Sequence, residues 1–180
     1  MTGGRGLALV GYRGTGKSTV GRILADRLGR PFADADKEIE ARDGRTIRAI
    51  FAEDGEPAFR RIEGEVLREL TAKLPGGIVA TGGGAVLDEA NRRALRSFGF
   101  VAWLKADPDT LAWRLSHSRS GLADRPALTP AGTLAEIADV LAARAPLYRE
   151  AAHAEVETDG RTAREVAEAV LGAFGREGGP

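Results

Sequence analysis

The sequence predicts an α/β fold built on a parallel sheet, and three observations carry that reading. Short apolar runs alternate with longer amphipathic stretches, the pattern of parallel strands joined by crossover helices. A glycine-rich loop of phosphate-binding type lies directly between the first apolar run and the first amphipathic stretch. The chain has 180 residues, 43% of them hydrophobic, enough to close around one core. No linker rich in Pro, Ser or charge divides it, so residues 1–180 read as one domain.

Taken in order, the strand candidates are Gly6 to Val10, Pro31 to Ala33, Gly77 to Ala80, Phe100 to Leu104 and Ala154 to Glu157. A helix is expected from near Lys17, and another from Glu56 to Leu74. Asp107-Pro108 supplies a capping carboxylate followed by proline at the first helical position, where its missing N–H costs nothing. Thr133 to Glu136 and Thr162 to Glu165 both have capping-box spacing, in which side-chain oxygens satisfy orphan backbone donors, so each should open a helix. In the last helix Val166, Val170, Leu171 and Phe174 form one apolar stripe for the sheet. Residues 118–132 show no clear periodicity and carry Arg119 and Arg125; a stretch of that length inside a compact domain suits a lid. Gly175 to Pro180 reads as a frayed tail.

Charge narrows the function. Lys and Arg number 26, as do Asp and Glu, so no overall field draws the chain to nucleic acid or an acidic membrane, and any anion site must be local. Without cysteine there is no disulfide, thiolate nucleophile or Cys-ligated metal, which fits a reducing compartment. Only two histidines are present, His117 and His153, too few for a His-built metal centre. No apolar run approaches the roughly 18 to 20 residues of a membrane span, and Leu7 to Val10 is too short for a secretory core. The expectation is a soluble cytoplasmic protein, taken as a monomer.

Gly11-Tyr-Arg-Gly-Thr-Gly16-Lys17-Ser18 matches G-x-x-x-x-G-K-[ST]. Glycines admit backbone conformations closed to other residues, so successive N–H groups can turn inward around a polyphosphate. The following helix adds the positive end of its dipole. Gly14, Thr15, Gly16 and Thr19 belong to this cradle; Lys17 would reach the β- and γ-phosphates and Ser18 would ligate Mg²⁺. The loop alone serves GTPases, motor ATPases and small-molecule kinases alike. The chain has no Asn-Lys-x-Asp guanine reader and is short for a transporter ATPase, leaving a small-molecule kinase with ATP as donor.

Further candidates follow along the chain. Asp34-Ala35-Asp36 lies after the second strand, at the sheet edge where ligands bind in open α/β folds. If the strand alternation continues, both carboxylates face one way, one towards Mg²⁺ and the other towards an acceptor hydroxyl. On spacing alone they are equally well turn and helix-capping residues. Arg60 and Arg61 are about 100° apart on a helix, so at most one faces a pocket, and a solvated face with an Arg61–Glu65 pair is the plainer reading. Gly82-Gly83-Gly84 strips side chains from the sheet edge, for a ligand or for a plain turn. Arg125 could close on a transferring phosphoryl group, and Arg144 could clamp a carboxylate with both arms, though a lone arginine is more often a surface charge.

In their order these motifs resemble shikimate kinase, a small P-loop kinase family related in fold to the nucleoside monophosphate kinases. The likeness runs from Leu7 to about Tyr148. It rests on Gly11 to Thr19, Asp34-Ala-Asp36, Ile50 to Glu56, Phe59-Arg-Arg-Ile-Glu63, Gly82-Gly-Gly84, Arg125-Pro126 and Arg144-Ala-Pro-Leu-Tyr148. The resemblance implies a three-layer sandwich with a five-stranded parallel sheet in the order 2-3-1-4-5. It also implies transfer of the γ-phosphoryl group of ATP, with Mg²⁺, to the 3-hydroxyl of shikimate, in the pathway to aromatic amino acids.

By the same resemblance Lys17 and Ser18 take the phosphates and Mg²⁺, with Asp34 behind the metal. Residues 34–63 form the shikimate-binding region, where Asp36 orients or deprotonates the attacking hydroxyl. Arg60 and Arg144 hold the carboxylate, Gly82, Gly83 and Gly84 complete the pocket, and Glu63 positions Arg60. Arg125 is the lid arginine, and Arg119 packs against adenine. One departure is Ala127, where the pattern has leucine after Arg125-Pro126. Tyr12 and Arg13 occupy variable positions of the loop and receive no role. Rival readings are a kinase for another hydroxylated acid such as gluconate, and a catalytically silent nucleotide-binding module.

Overall fold

The computed structural model describes residues 4–117 and 133–177. Its five strands are β1 (Gly6–Val10), β2 (Phe32–Asp34), β3 (Ile78–Ala80), β4 (Gly99–Lys105) and β5 (Ala154–Glu157). They form one sheet in the order β2-β3-β1-β4-β5, every neighbouring pair parallel. The helices are α1 (Lys17–Leu28), α2 (Ala35–Asp43), α3 (Ile47–Lys73), α4 (Glu89–Phe98), α5 (Pro108–His117), α6 (Thr133–Ala151) and α7 (Ala163–Arg176). β1 and β5 fall where their apolar runs place them; β2 is shifted by one residue, β3 starts one residue later, and β4 is longer by one residue at each end.

Alternation along β1 explains the layers. Leu7 and Leu9 face one side, packing with Val20 and Leu24 of α1 and Val166, Val170 and Phe174 of α7. Ala8 and Val10 face the other, against Ile39 of α2, Phe59 and Leu67 of α3, Leu95 of α4 and Tyr148 of α6. Both faces are therefore sealed, as an all-parallel sheet requires, which is why its strands read as apolar runs. Each fully buried Leu, Val or Phe contributes about 1.5–3 kcal/mol. A smaller cluster of Tyr12, Leu111, Leu115 and Ile137 joins the phosphate loop to α5 and α6.

Helix ends follow the capping chemistry in most places. Thr162 and Glu165 make the expected reciprocal box at the start of α7. Of the box expected at Thr133, the threonine side chain lies outside what is described, and Glu136 is buried in an ion pair with Arg13. Asp88 caps α4 by accepting from the Ala90 amide at 2.7 Å, a helix whose start the sequence reading did not locate. The helix expected from Glu56 continues back to Ile47, capped by Thr46, but Gly55 breaks it with φ 82° and ψ 172°, and Pro57 follows. The expected boundary is thus the kink itself.

The β1–β4 pair begins with glycine opposite glycine, Gly6 against Gly99. A Cβ on Gly99 would stand 2.6 Å from the Gly6 amide nitrogen, and backbone in a sheet cannot withdraw. Gly99→Ala should lower stability by about 1–3 kcal/mol in denaturant unfolding, and an unchanged midpoint would show that the strand end can splay.

Candidate active site

The site is assembled at the C-terminal edge of the central strands. β1 runs into the phosphate loop, in which Gly14 and Gly16 hold φ of 84° and 89°, left-handed conformations that a side chain would strain. Thr15 is buried and donates its hydroxyl to the Tyr12 carbonyl at 2.8 Å, fixing the turn. Lys17, the first residue of α1, folds back so that Nζ donates to the carbonyls of Gly11 at 2.7 Å and Tyr12 at 2.8 Å. Its ammonium therefore sits within the span of the loop.

Ser18 Oγ donates to Asp34 Oδ2 at 2.5 Å, tying α1 to the end of β2. The other oxygen of Asp34 accepts from the Asp36 amide at 3.1 Å, so Asp34 is also the cap of α2. One oxygen thus makes the expected cap, and the other meets Ser18 beside the phosphate loop. The expected alternation fails here: β2 ends at Asp34 and α2 begins at Ala35, because the cap bends the chain. Asp36 therefore enters the site from the first turn of a helix.

Opposite these groups lies the backbone after β3. A Cβ on Gly82 would stand 2.7 Å from Glu63 Oε1 and 2.8 Å from Asp36 Oδ1, so both carboxylates converge on the bare face of that glycine. A Cβ on Gly84 would stand 2.6 Å from Arg60 Cζ. Gly83 is pressed against the phosphate loop, its absent Cβ lying 3.2 Å from the Arg13 amide nitrogen. The Gly83 carbonyl accepts from Arg144 at 3.2 Å and from the Tyr148 hydroxyl at 2.5 Å. All three glycines are closely approached, by the Glu63 and Asp36 carboxylates, by the phosphate loop and by Arg60.

Arg60 is the arginine of its pair that faces inward, and Arg61 is exposed. Its guanidinium donates to buried Glu63 at 2.7 Å and to Glu56 at 3.0 and 3.1 Å. Burial disfavours its charge, but the Glu63 and Glu56 carboxylates outweigh that and hold its pKa above the ordinary arginine value. The Arg61–Glu65 pair of the plainer reading is replaced by Arg42, which reaches Glu65 at 3.3 Å and Glu69 at 2.7 Å. Arg144 is buried on α6, and Tyr148 one turn on is fully buried beneath Trp103, with ring centroids 5.4 Å apart. Burial pushes the Tyr148 phenol up to about 12, against the opposing effect of Arg144, so it remains a neutral donor to Gly83 throughout the working range.

Lys17, Ser18, Asp34, Asp36, Arg60, Gly82, Gly83, Gly84 and Arg144 are thus brought to one edge of the sheet, with Gly14, Thr15, Gly16 and Thr19 in or beside the loop. Arg119 and Arg125 lie outside the described residues. Two participants had no role in the sequence reading. Tyr148 was signalled by its place one turn after Arg144. Arg13, which reaches buried Glu136 at 3.3 Å across 123 positions, carried no local signal.

Comparison with known proteins gives the family. The sequence model described as Shikimate kinase matches residues 13–174. The shikimate kinase of Symbiobacterium thermophilum is 47% identical over 165 residues, 92% of this chain and 93% of its own. That of Pseudomonas fluorescens is 48% identical over 162 residues, 90% of this chain and 91% of its own. A shikimate kinase from Acinetobacter baumannii, solved in complex with shikimate, superposes with a TM-score of 0.90 at 38% identity, covering 98% of this chain and 96% of that one. A gluconokinase from Sinorhizobium meliloti shares the fold alone, with a TM-score of 0.62 at 17% identity, covering 98% of this chain and 95% of that one. Matched along nearly its whole length, the chain belongs to the shikimate kinase family, whose members transfer a phosphoryl group from ATP to shikimate.

Proposed function

We propose that Asp36, Arg60, Arg144 and the Gly82–Gly84 backbone form the shikimate pocket, and that the γ-phosphoryl group of ATP passes there to the 3-hydroxyl. The observation that carries this reading is convergence. One carboxylate and two arginines, from three helices, meet a side-chain-free stretch of backbone beside a phosphate loop. A compact hydroxylated carboxylate fits that set: Arg60 and Arg144 for its carboxylate, Asp36 for the attacking hydroxyl, glycine backbone for the ring. Glu63 holds Arg60 in place as its positioning residue.

Lys17 and the loop amides take the phosphates. Ser18 and Asp34 are paired oxygen donors beside the loop, a set that suits a hard cation bound largely through water and phosphate, and we assign them to Mg²⁺. Mg²⁺ would offset phosphate charge when bound; the protein's own part is to position donor and acceptor and to exclude water, since phosphoryl transfer asks little covalent work of it. Arg125, and Arg119 towards the adenine, are assigned to residues 118–132, read as a lid over one functional unit of residues 1–180. The balance of 26 basic and 26 acidic residues argues against a nucleic-acid partner. No helix of the described residues is long and apolar enough to cross a membrane. We assign the enzyme to the cytoplasm as a monomer.

ADP release from MgATP, measured in parallel with shikimate, gluconate and no acceptor, tests the reading. Release only with shikimate supports it; release with gluconate, or equally without acceptor, would overturn the acceptor assignment. The pocket's geometry adds a second expectation. Gly84→Ala would drive a methyl group into the Arg60 guanidinium, so the shikimate KM should rise by about tenfold while the ATP KM holds. Equal change in both constants would remove Arg60 from the acceptor side.

A further inference from the structure

The phosphate loop and the acceptor clamp are held by different elements, yet transfer requires their contents to be aligned to within about half an ångström. The loop follows β1, whereas Arg144 belongs to α6. A charged contact joins the two. Arg13, between Gly11 and Gly14, extends its guanidinium to Glu136 at 3.3 Å, with side-chain exposures of 11% and 0%. The pair is backed by Tyr12 and Ile137, buried neighbours in one small apolar cluster with Leu111 and Leu115.

Spacing along α6 gives this contact its meaning. Glu136, Arg144 and Tyr148 are separated by eight and four residues, so they lie on one stripe of the helix. The first grips the phosphate loop and the other two grip the Gly83 carbonyl. Gly83 in turn abuts the Arg13 amide, so the loop, the glycine stretch and α6 close a ring of contacts through residue 13. A charge pair in that place is directional and resists sliding, which apolar packing alone does not.

We propose that Arg13 and Glu136 are a positioning pair that fixes the phosphate loop to the helix carrying Arg144. The pair thereby sets the distance between the transferring phosphoryl group and the acceptor hydroxyl. This rests on the shikimate-pocket reading above. Neither residue touches the reacting atoms, so losing the pair should spoil alignment more than binding.

A double-mutant cycle on the full chain tests it, with kcat and both KM values measured for Arg13→Gln, Glu136→Gln and the double variant. Each single variant should lower kcat by about tenfold to a hundredfold, with both KM values within about twofold of wild type. The double variant should lose no more than the weaker single, because the two side chains act as one unit. Multiplying losses would overturn the pair. So would a rise in ATP KM for Arg13→Gln alone, which would make Arg13 a direct phosphate ligand. Should Glu136→Gln fail to fold, Glu136→Asp keeps the charge but shortens the reach; the same kcat loss is expected, and full kcat would overturn the proposal. Failure of the wild-type chain to phosphorylate shikimate would instead overturn the acceptor reading beneath it.

Discussion

Asp36→Asn is expected to cut kcat by about 10²–10⁴ while leaving nucleotide binding intact. The carboxylate enters from the first turn of α2, oriented because Asp34 caps that helix through the Asp36 amide. Its Oδ1 faces the bare backbone at Gly82, beside Glu63 Oε1. Asparagine keeps the shape and can still contact a hydroxyl, but its amide neither takes the proton nor carries the charge that orients the O–H. The ATP side is assigned to Lys17, Ser18 and the loop, on other elements than Asp36. Titration with MgADP should therefore give wild-type affinity alongside collapsed turnover. Near-normal turnover would remove Asp36 from the mechanism, and parallel loss of nucleotide affinity would move it to the donor side.

The second large effect is expected at Arg144. Arg144→Lys keeps the charge and loses the planar fork that matches a carboxylate with two parallel hydrogen bonds. Hydrogen bonds to charged groups are worth about 1.5–3 kcal/mol each, so the shikimate KM should rise by about tenfold to a hundredfold. The ATP KM should change little, since Arg144 acts through the Gly83 side of the pocket. Equal rises in both constants would count against the clamp. Tyr148, held under Trp103, keeps Gly83 in place in this variant, so the loss reads binding rather than collapse of the pocket.

Local chemistry made much of this fold legible before any coordinates. The phosphate loop declares itself because glycine spacing, a preceding apolar run and a following helix fall within twenty residues or so, and β5 and the Thr162 cap are equally local. Arg60 with Glu63 is a spacing of three on one helix, and the Arg144–Tyr148 step is one turn. What escaped depends on the chain changing direction or on distance. The alternation expected to carry Asp34 and Asp36 onto one face ends where Asp34 caps α2, a choice between strand and helix that a three-residue strand leaves open. Glu65 meets Arg42 of another helix rather than Arg61 of its own, since α2 lies against that face. The Arg13–Glu136 contact escaped because nothing nearby in sequence links residues 123 positions apart.

The central claim is geometric: the acceptor is held by its carboxylate between Arg60 and Arg144 with its 3-hydroxyl on Asp36, facing the phosphate loop. A crystal structure of the full chain with shikimate and MgADP measures it most directly. The account predicts hydrogen bonds from both guanidinium groups to the shikimate carboxylate and from the 3-hydroxyl to Asp36. A carboxylate bound away from either arginine, or a different hydroxyl on Asp36, would contradict it.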